Sequence, residues 1–240
     1  MIGQPIGMFY GWLTNGIFKN QQELSAGPIF APGTASASHL GDTRFVDVSG
    51  PNGKPDGIIN SFDKTIMGSP YPDFYYGMSN HIAYKNLALT VSLQGSKGAQ
   101  ILNLTRLGAN MSTRARTNQL ALSNNYWKSP TEPGDGNTPR PNDAPTGNIR
   151  GESQQKQLDD GTYMRINNIN LSYQLDETAT GKLHVNGIRI YLNANNPFIF
   201  TKYTSFNPDS STSGNSLNPG RDLNDYPLPK SITLGLNVTF

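Results

Sequence analysis

The chain has 240 residues and a formal net charge of +2, enough length for one large domain or two ordinary ones. Charged residues make up only 15% and hydrophobic residues 35%, with 25 glycines and 17 prolines. That is too little charge for a disordered tail and too little apolar content for a helical membrane protein. There is no cysteine, which excludes disulfides, thiolate metal sites and a cysteine nucleophile.

Taken in chain order, the first extended segment lies within Pro5 to Phe18, where Ile6, Met8, Tyr10 and Trp12 share a parity. A period of two puts such residues on one face of a β-strand. In the next segment Phe74, Tyr76, Met78, Ile82 and Tyr84 share one parity, with Asn80 the exception. It meets the following segment across Lys85-Asn86, a tight hairpin connection. There Leu87, Leu89, Val91 and Leu93 alternate with Ala88, Thr90, Ser92 and Gln94. From Tyr163 to Tyr173 the apolar parity switches, from Met164 and Ile166 to Ile169, Leu171 and Tyr173. The switch falls at Asn167-Asn168 and predicts a β-bulge, since an inserted residue resets the face. Ile188, Ile190, Leu192 and Ala194 then alternate with Arg189, Tyr191, Asn193 and Asn195, and from Ser231 to Phe240 every even position is apolar.

Six strands are thus expected, joined alternately by short and long connections. The long ones, 19–72, 98–160 and 202–229, are rich in Gly, Pro, Asn, Asp and Ser. Short turns alternating with long loops are the pattern of a transmembrane β-barrel. Aromatics near strand ends (Phe74, Tyr84, Tyr173, Phe240) suit interfacial girdles, and the opposite faces, mostly Asn, Ser, Thr, Gly and Gln, suit a hydrated lumen. Alternation alone fits equally a soluble, secreted β-sandwich that binds carbohydrate, with a second sheet in place of lipid. Met1 to Gly7 has neither the basic n-region nor the apolar h-region of a signal peptide. The basic excess is small and scattered, so no nucleic-acid partner is expected.

Five runs carry a family resemblance. Gly3-Gln4-Pro5-Ile6-Gly7-Met8-Phe9-Tyr10-Gly11-Trp12, followed by Gly16-Ile17-Phe18, resembles a "G-x-P-x-G-x-F-Y-G-Y … G-I-F" signature. Gly41-Asp42-Thr43-Arg44-Phe45-Val46-Asp47 and Ile66-Met67-Gly68-Ser69-Pro70-Tyr71-Pro72-Asp73-Phe74 are similar to "G-D-x-R-F-x-D … I-G-x-x-x-P". Tyr163 to Tyr173 resembles "Y-L-R-L-x-N-I-T-L-G-Y", and Asp225-Tyr226-Pro227-Leu228-Pro229-Lys230 with Leu234 to Phe240 resembles a closing motif. Together they resemble the C-terminal part of SusC/RagA-type TonB-dependent outer-membrane transporters. The resemblance implies an all-β fold, the last six or so strands of a 22-stranded barrel, spanning residues 1–240 without a plug domain. It also implies a bacterial outer-membrane location, extracellular placement of the three long loops, and import of oligosaccharides or peptides. The implied partners are the plug and remaining strands, a SusD-like surface lipoprotein, the TonB complex and outer-membrane lipid. The strands 5–18 and 231–240 are expected to pair with strands outside this chain, because an open sheet cannot span a bilayer. The signal peptide, TonB box and plug are likewise expected elsewhere.

Two sets of residues are candidate sites. Asp47, Ser49, Asp56 and Asp63 are similar to the family's "D-x-N-G-D-G-x-I-x-x-x-D" run, which resembles an EF-hand calcium loop in which alternate oxygens converge on a hard cation. Here Pro51 to Pro55 is inserted, Ser49 replaces Asn and Lys54 adds positive charge. The metal-free alternative is an Asx/Gly turn shaped by the same residues. The loop aromatics Tyr126, Trp127, Tyr203, Phe206 and Tyr226 are candidates to contact substrate or the lipoprotein lid, or else to pack the loops. Arg221, Asp222 and Asp225 read as a solvated charged loop. No carboxylate pair or nucleophile motif is present, so no enzymatic activity and no catalytic or cofactor-binding residue is expected.

Overall fold

The computed structural model describes residues 3–34, 37–106, 121–141, 155–181, 185–212 and 217–240. Parts of the 98–160 loop, the 176–185 turn and His184 lie outside the described residues. The chain divides into two units. One, here the loop unit, comprises Met1–Pro70, Gln100–Asp159 and Ser210–Asn224; the other, the strand unit, comprises Tyr71–Ala99, Asp160–Asp209 and Asp225–Phe240.

The loop unit holds short pieces. In chain order they are β1 (Phe9–Trp12), β2 (Thr14–Ile17), helix α1 (Gln21–Ala26), β3 (Ile29–Phe30), β4 (Thr43–Phe45), β5 (Ile58–Ile59) and β6 (Lys64–Gly68). The strand unit contributes β7 (Phe74–Tyr84) and β8 (Leu87–Lys97), then β9 (Gln100–Asn103) returns to the loop unit. β10 (Leu158–Asp160) leads into the strand unit's β11 (Tyr163–Gln174), a short helix α2 (Glu177–Gly181) and β12 (Gly187–Thr201). β13 (Arg221–Asp222) belongs to the loop unit and β14 (Ser231–Thr239) closes the strand unit.

Within the loop unit β1 pairs with β6 and β2 with β4, both antiparallel, while β3 pairs with β5 and β9 with β13 in parallel. Its core is small: Phe9, Met67, Leu102 and Leu104, with Leu13 and Leu158 against them. The sixth expected strand, 5–18, is therefore not part of the long sheet. It divides at Leu13 into β1 and β2; Gly7, at a left-handed φ of 84°, precedes β1, and Gly16, at 71°, sits where the β2–β4 pairing slips register.

The other five expected strands form one antiparallel sheet in the order β14-β12-β11-β8-β7. The β7–β8 turn is as tight as expected, with Lys85 at φ 51°. The bulge also falls where the parity switches. Against β8, Asn167 is the extra residue between Ile166–Leu93 and Asn168–Ser92. Against β12 the surplus is on the other strand, where Asn196 and Pro197 stand opposite Asn167. Asn196 is left-handed at φ 48°, and Pro197, which cannot donate to a ladder, is tolerated at such a bulge.

The register sorts the two faces. One carries Tyr84–Leu87–Tyr173–Ile190–Leu236 in one row, Ile82–Leu89–Leu171–Leu192–Leu234 in the next, then Val91–Ile169–Ala194–Ile232. Beyond the bulge come Met78–Leu93–Ile166–Phe198 and Tyr76–Gly95–Met164–Phe200. Among the described residues no second sheet covers this face: Ile82, Leu234 and Ile232 are 63%, 74% and 78% exposed. A sandwich would bury these positions, so the β-sandwich alternative is not favoured. From Phe74 to Tyr84 the strand runs about 34 Å at ~3.4 Å per residue, or roughly 26 Å along the normal at a ~40° tilt. That matches the ~25 Å apolar band of an outer-membrane barrel, and aromatic side chains stand at both ends of it. Among the described residues no helix is long and apolar enough to cross a membrane, which does not bear on strands.

Candidate functional site

The second face of the five-stranded sheet is polar and almost uncharged. Its central rows read Ser79–Ser92–Asn168–Asn195–Ser231 and His81–Thr90–Asn170–Asn193–Thr233. The strands place these groups directly opposite one another, close enough to bond across the ladder. The Ser79 and Ser92 hydroxyls are 2.8 Å apart, and His81 Nδ1 is 3.0 Å from Thr90 Oγ1. Asn168 Nδ2 donates to Asn193 Oδ1 (2.8 Å) and Asn195 Oδ1 (2.9 Å), and Asn195 Nδ2 donates to Ser231 Oγ (3.1 Å). Carboxamides that satisfy one another make a surface that is hydrated yet carries no net field, suited to neutral polar solutes.

In the loop unit the acidic run folds into turns. Asp63, fully buried, is the third residue of a single 3-10 turn capped by Asn60. Its Oδ1 accepts from the backbone amides of Val48 (2.9 Å) and Ser49 (3.2 Å), and its Oδ2 from that of Asn60 (2.7 Å). Asp47 Oδ2 accepts from Gly57 N (2.5 Å) and Asp56 Oδ1 from Ile58 N (3.0 Å), while Ser49 Oγ turns to Gly50 O (3.4 Å). Asp47 Oδ1 is buried without a hydrogen bond. The structure thus brings the four residues into one loop, with one oxygen each of Asp47 and Asp56 and both of Asp63 accepting from backbone amides. Among the described residues no three acidic or histidine side chains are grouped to hold a metal. The loop has the Asx turn and capping box of the metal-free reading, and a calcium shell would need the Asp63 carboxylate to leave its amide partners.

The aromatic candidates divide. In the loop unit Trp127 is 9% exposed and lies across Gly41, whose φ of 78° and missing side chain leave room for the indole. Its Nε1 donates to Lys19 O (3.4 Å). Tyr126 is half-buried beneath Lys128 Nζ, 5.9 Å from its ring centre. In the strand unit Tyr203 is buried, whereas Phe206 and Tyr226 are 62% and 87% exposed. Trp127 and Tyr203 pack the loops; Phe206 and Tyr226 present free rings.

Sequence reading missed the polar ties of the loop unit. Arg106 Nη1 pairs with Asp159 Oδ1 (2.5 Å), whose Oδ2 accepts from Asn103 Nδ2 (2.9 Å). Arg140 Nε pairs with the buried Asp42 at 2.7 Å. Lys156 Nζ donates to Thr43 Oγ1 (2.7 Å). Burial, with Arg106 nearby, brings the Lys156 amine down to about 8. Asp222, read as solvated, is fully buried and accepts from Thr105 Oγ1 (3.2 Å). Partners 53, 98, 113 and 117 residues apart leave no local signal.

An antiparallel meander with one exposed apolar face bounded by aromatics and one neutral polar face is a segment of transmembrane β-barrel wall. No protein-family model matches the sequence. It is 31% identical over 247 residues to TonB-dependent receptor P3 of Formosa agariphila, covering 99% of this chain and 22% of the receptor. TonB-dependent receptor SusC of Bacteroides thetaiotaomicron is 26% identical over 204 residues, covering 83% of this chain and 18% of SusC. Among solved structures, the RagAB peptide transporter superposes with a TM-score of 0.71 at 19% identity, over 97% of this chain and 23% of that one. The RagAB peptide importer in its open-open state gives 0.66. The chain spans about a fifth of the length of the relatives it matches. In sequence and fold the chain is thus similar, over nearly its whole length, to one barrel segment of SusC/RagA-type TonB-dependent transporters.

Proposed function

We propose that this chain supplies part of the wall and outer loops of an outer-membrane importer of oligosaccharides or peptides. The observation that carries the reading is the division of one sheet into a lipid-suited face and a face of mutually bonded carboxamides. In this reading the long loops are extracellular, and Phe206 and Tyr226 of the strand unit offer stacking surfaces to solute or to a SusD-like lipoprotein. The edges β7 and β14, each with a single neighbour in the sheet, continue into the rest of the barrel. The plug and TonB coupling belong to the remainder of the transporter. The chain's role is non-catalytic: it shapes and wets a path through which solute moves.

Thiol labelling tests this directly. Cysteines placed singly at Asn170, Asn193, Ile169 and Leu192 of the complete transporter are exposed to a membrane-impermeant maleimide in cells. Positions 170 and 193 react, and a bulky adduct there slows uptake of a labelled oligopeptide or oligosaccharide; positions 169 and 192 stay unreactive. Equal labelling of both sets, or labelling confined to 169 and 192, refutes the assignment.

A further inference from the structure

Where the polar face meets the loop end of the strand unit, a cleft of about 150 Å³ opens between β11, β12 and the segment leading into β14. Arg165, Asn196, Ile199 and Phe206 line it with Pro227, Leu228 and Lys230. Two charged residues line it, and both are cations. Arg165 is 5% exposed, a depth at which a charge is normally paired and its donors satisfied. Yet Nη2 donates to Asn207 Oδ1 at 2.9 Å, Nη1 approaches Asp209 Oδ2 only at 3.9 Å, and the guanidinium lies 5.1 Å from the Tyr163 ring centre. Of its five N–H donors, one makes a hydrogen bond among the described residues. Asn207 and the ring hold the group in place, and its other N–H donors make no hydrogen bond among the described residues. Lys230 is exposed and has no anionic partner among the described residues.

We propose that this cleft is a binding site for a terminal carboxylate on a small, partly apolar end group. A planar guanidinium with free parallel donors matches a carboxylate bidentately, and a nearby ammonium adds attraction without demanding geometry. Ile199, Phe206, Pro227 and Leu228 receive the carbon skeleton beside the charge. The size sets the scale of the ligand: ~150 Å³ is about five waters' worth of liquid volume and well under the 300–1,000 Å³ of a pocket that encloses a drug-sized molecule. It holds an end residue and leaves the rest of an oligomer outside. Asn196 reaches the cleft because the β12 bulge turns it from the strand's regular alternation, so the parity break builds the site as well as bending the sheet. The carboxyl end of a peptide and the acid group of a uronic sugar share this chemistry. The lumenal position of the cleft rests on the barrel reading above.

The test is equilibrium binding by calorimetry to the complete transporter in detergent. The probes are tetra-alanine as free acid and as C-terminal amide, and a uronic-acid disaccharide beside its methyl ester. At least one acid binds roughly tenfold or more tightly than its neutral counterpart, as expected for charge-assisted bonds, and the pair that discriminates identifies the source. Lys230→Met, an exposed change that leaves the fold intact, weakens the acid several-fold and leaves the neutral probe unchanged; Arg165→Lys weakens it further. Equal affinity for acid and neutral forms, no binding of either acid, or an acid affinity unmoved by Lys230→Met overturns the proposal. Uptake of a neutral oligomer by energised cells reads the importer assignment separately, so the failure of one is distinguishable from the failure of the other.

Discussion

Val91 and Thr90 are neighbours on β8 that point to opposite faces, and arginine at each position interrogates the two faces in turn. Val91 lies four residues from Leu87 in the aromatic row that includes Tyr84 and Tyr173. At ~3.4 Å per residue and a ~40° tilt, that is about 10 Å inside the apolar band. A guanidinium on the lipid face near the midplane costs about 2–4 kcal/mol, so Val91→Arg costs about 2–3 kcal/mol. That is roughly a 30- to 150-fold change in the folding equilibrium. Thr90→Arg faces hydrated amides and loses the Thr90–His81 bond, at about 1 kcal/mol. Reversible denaturant unfolding of the transporter in lipid vesicles measures both. Because the chain has no cysteine, the single substitutions Thr90→Cys and Val91→Cys add a direct readout. Bimane at 91 is quenched by brominated acyl chains and bimane at 90 is not. If Thr90→Arg is the costlier change, or if quenching is stronger at 90, the lipid-facing assignment is wrong.

Three further outcomes follow from packing, charge and loop geometry. A Cβ at Gly235 falls 2.1 Å from the Tyr191 ring that lies across it, so Gly235→Val destabilises by about 1–3 kcal/mol; adding Tyr191→Ser restores most of the loss in a thermal melt. Asp63→Asn removes the anion that accepts three amides and costs about 2–3 kcal/mol in loop-unit protease resistance, while calcium leaves the wild-type melting temperature unchanged. A saturable calcium-dependent rise, abolished by Asp47→Asn, would instead establish the cation site. Lys156 is held at about 8 against an ordinary 10.5, so above pH 8 the unfolded chain binds more protons than the folded one. Loop-unit stability then rises between about pH 8 and 10.5, by at most about 3 kcal/mol; the rise is absent in Lys156→Met, and parallel pH profiles for the two proteins contradict the shift.

The strands were legible because a two-sided sheet imposes its period on every residue: Leu87 to Leu93 and Ile232 to Phe240 declare two faces without knowledge of their partners. Even the bulge at Asn167 was legible, since a parity switch is a local event. Its counterpart at Asn196-Pro197 was not, because a surplus on β12 is defined only against β11. The segment 5–18 shows where periodicity misleads. Ile6, Met8, Tyr10 and Trp12 share a parity, but the segment divides at Leu13 into two short strands that pair with β6 and β4 in the loop unit. In the loops, residue types indicated interest without indicating role. Trp127 stands out by composition, and what decides its burial is the bare Gly41 far away in sequence. Asp63 reads as a ligand by spacing, whereas in the fold its oxygens close a turn.

In the importer reading proposed above, the placement of charge on the polar face suits a path for solute. Along β7, β8, β11, β12 and β14 the charged side chains on that face are Arg165 near one end and Arg189 near the other. Arg189 donates to Ser172 Oγ at 3.2 Å. Between them stand the amides and hydroxyls of the central rows. A fixed charge in the middle of a narrow path would hold counter-charged solute and repel the rest, since its field is poorly screened there. Paired carboxamides avoid both effects because each can exchange a neighbour's bond for one to a passing solute at little net cost. A cation at the loop end can capture an anionic end group before entry without setting a trap along the path. In the proposed importer the low charge of these strands suits a conduit, and Arg165 is the point on this wall where the proposed site concentrates selection by charge.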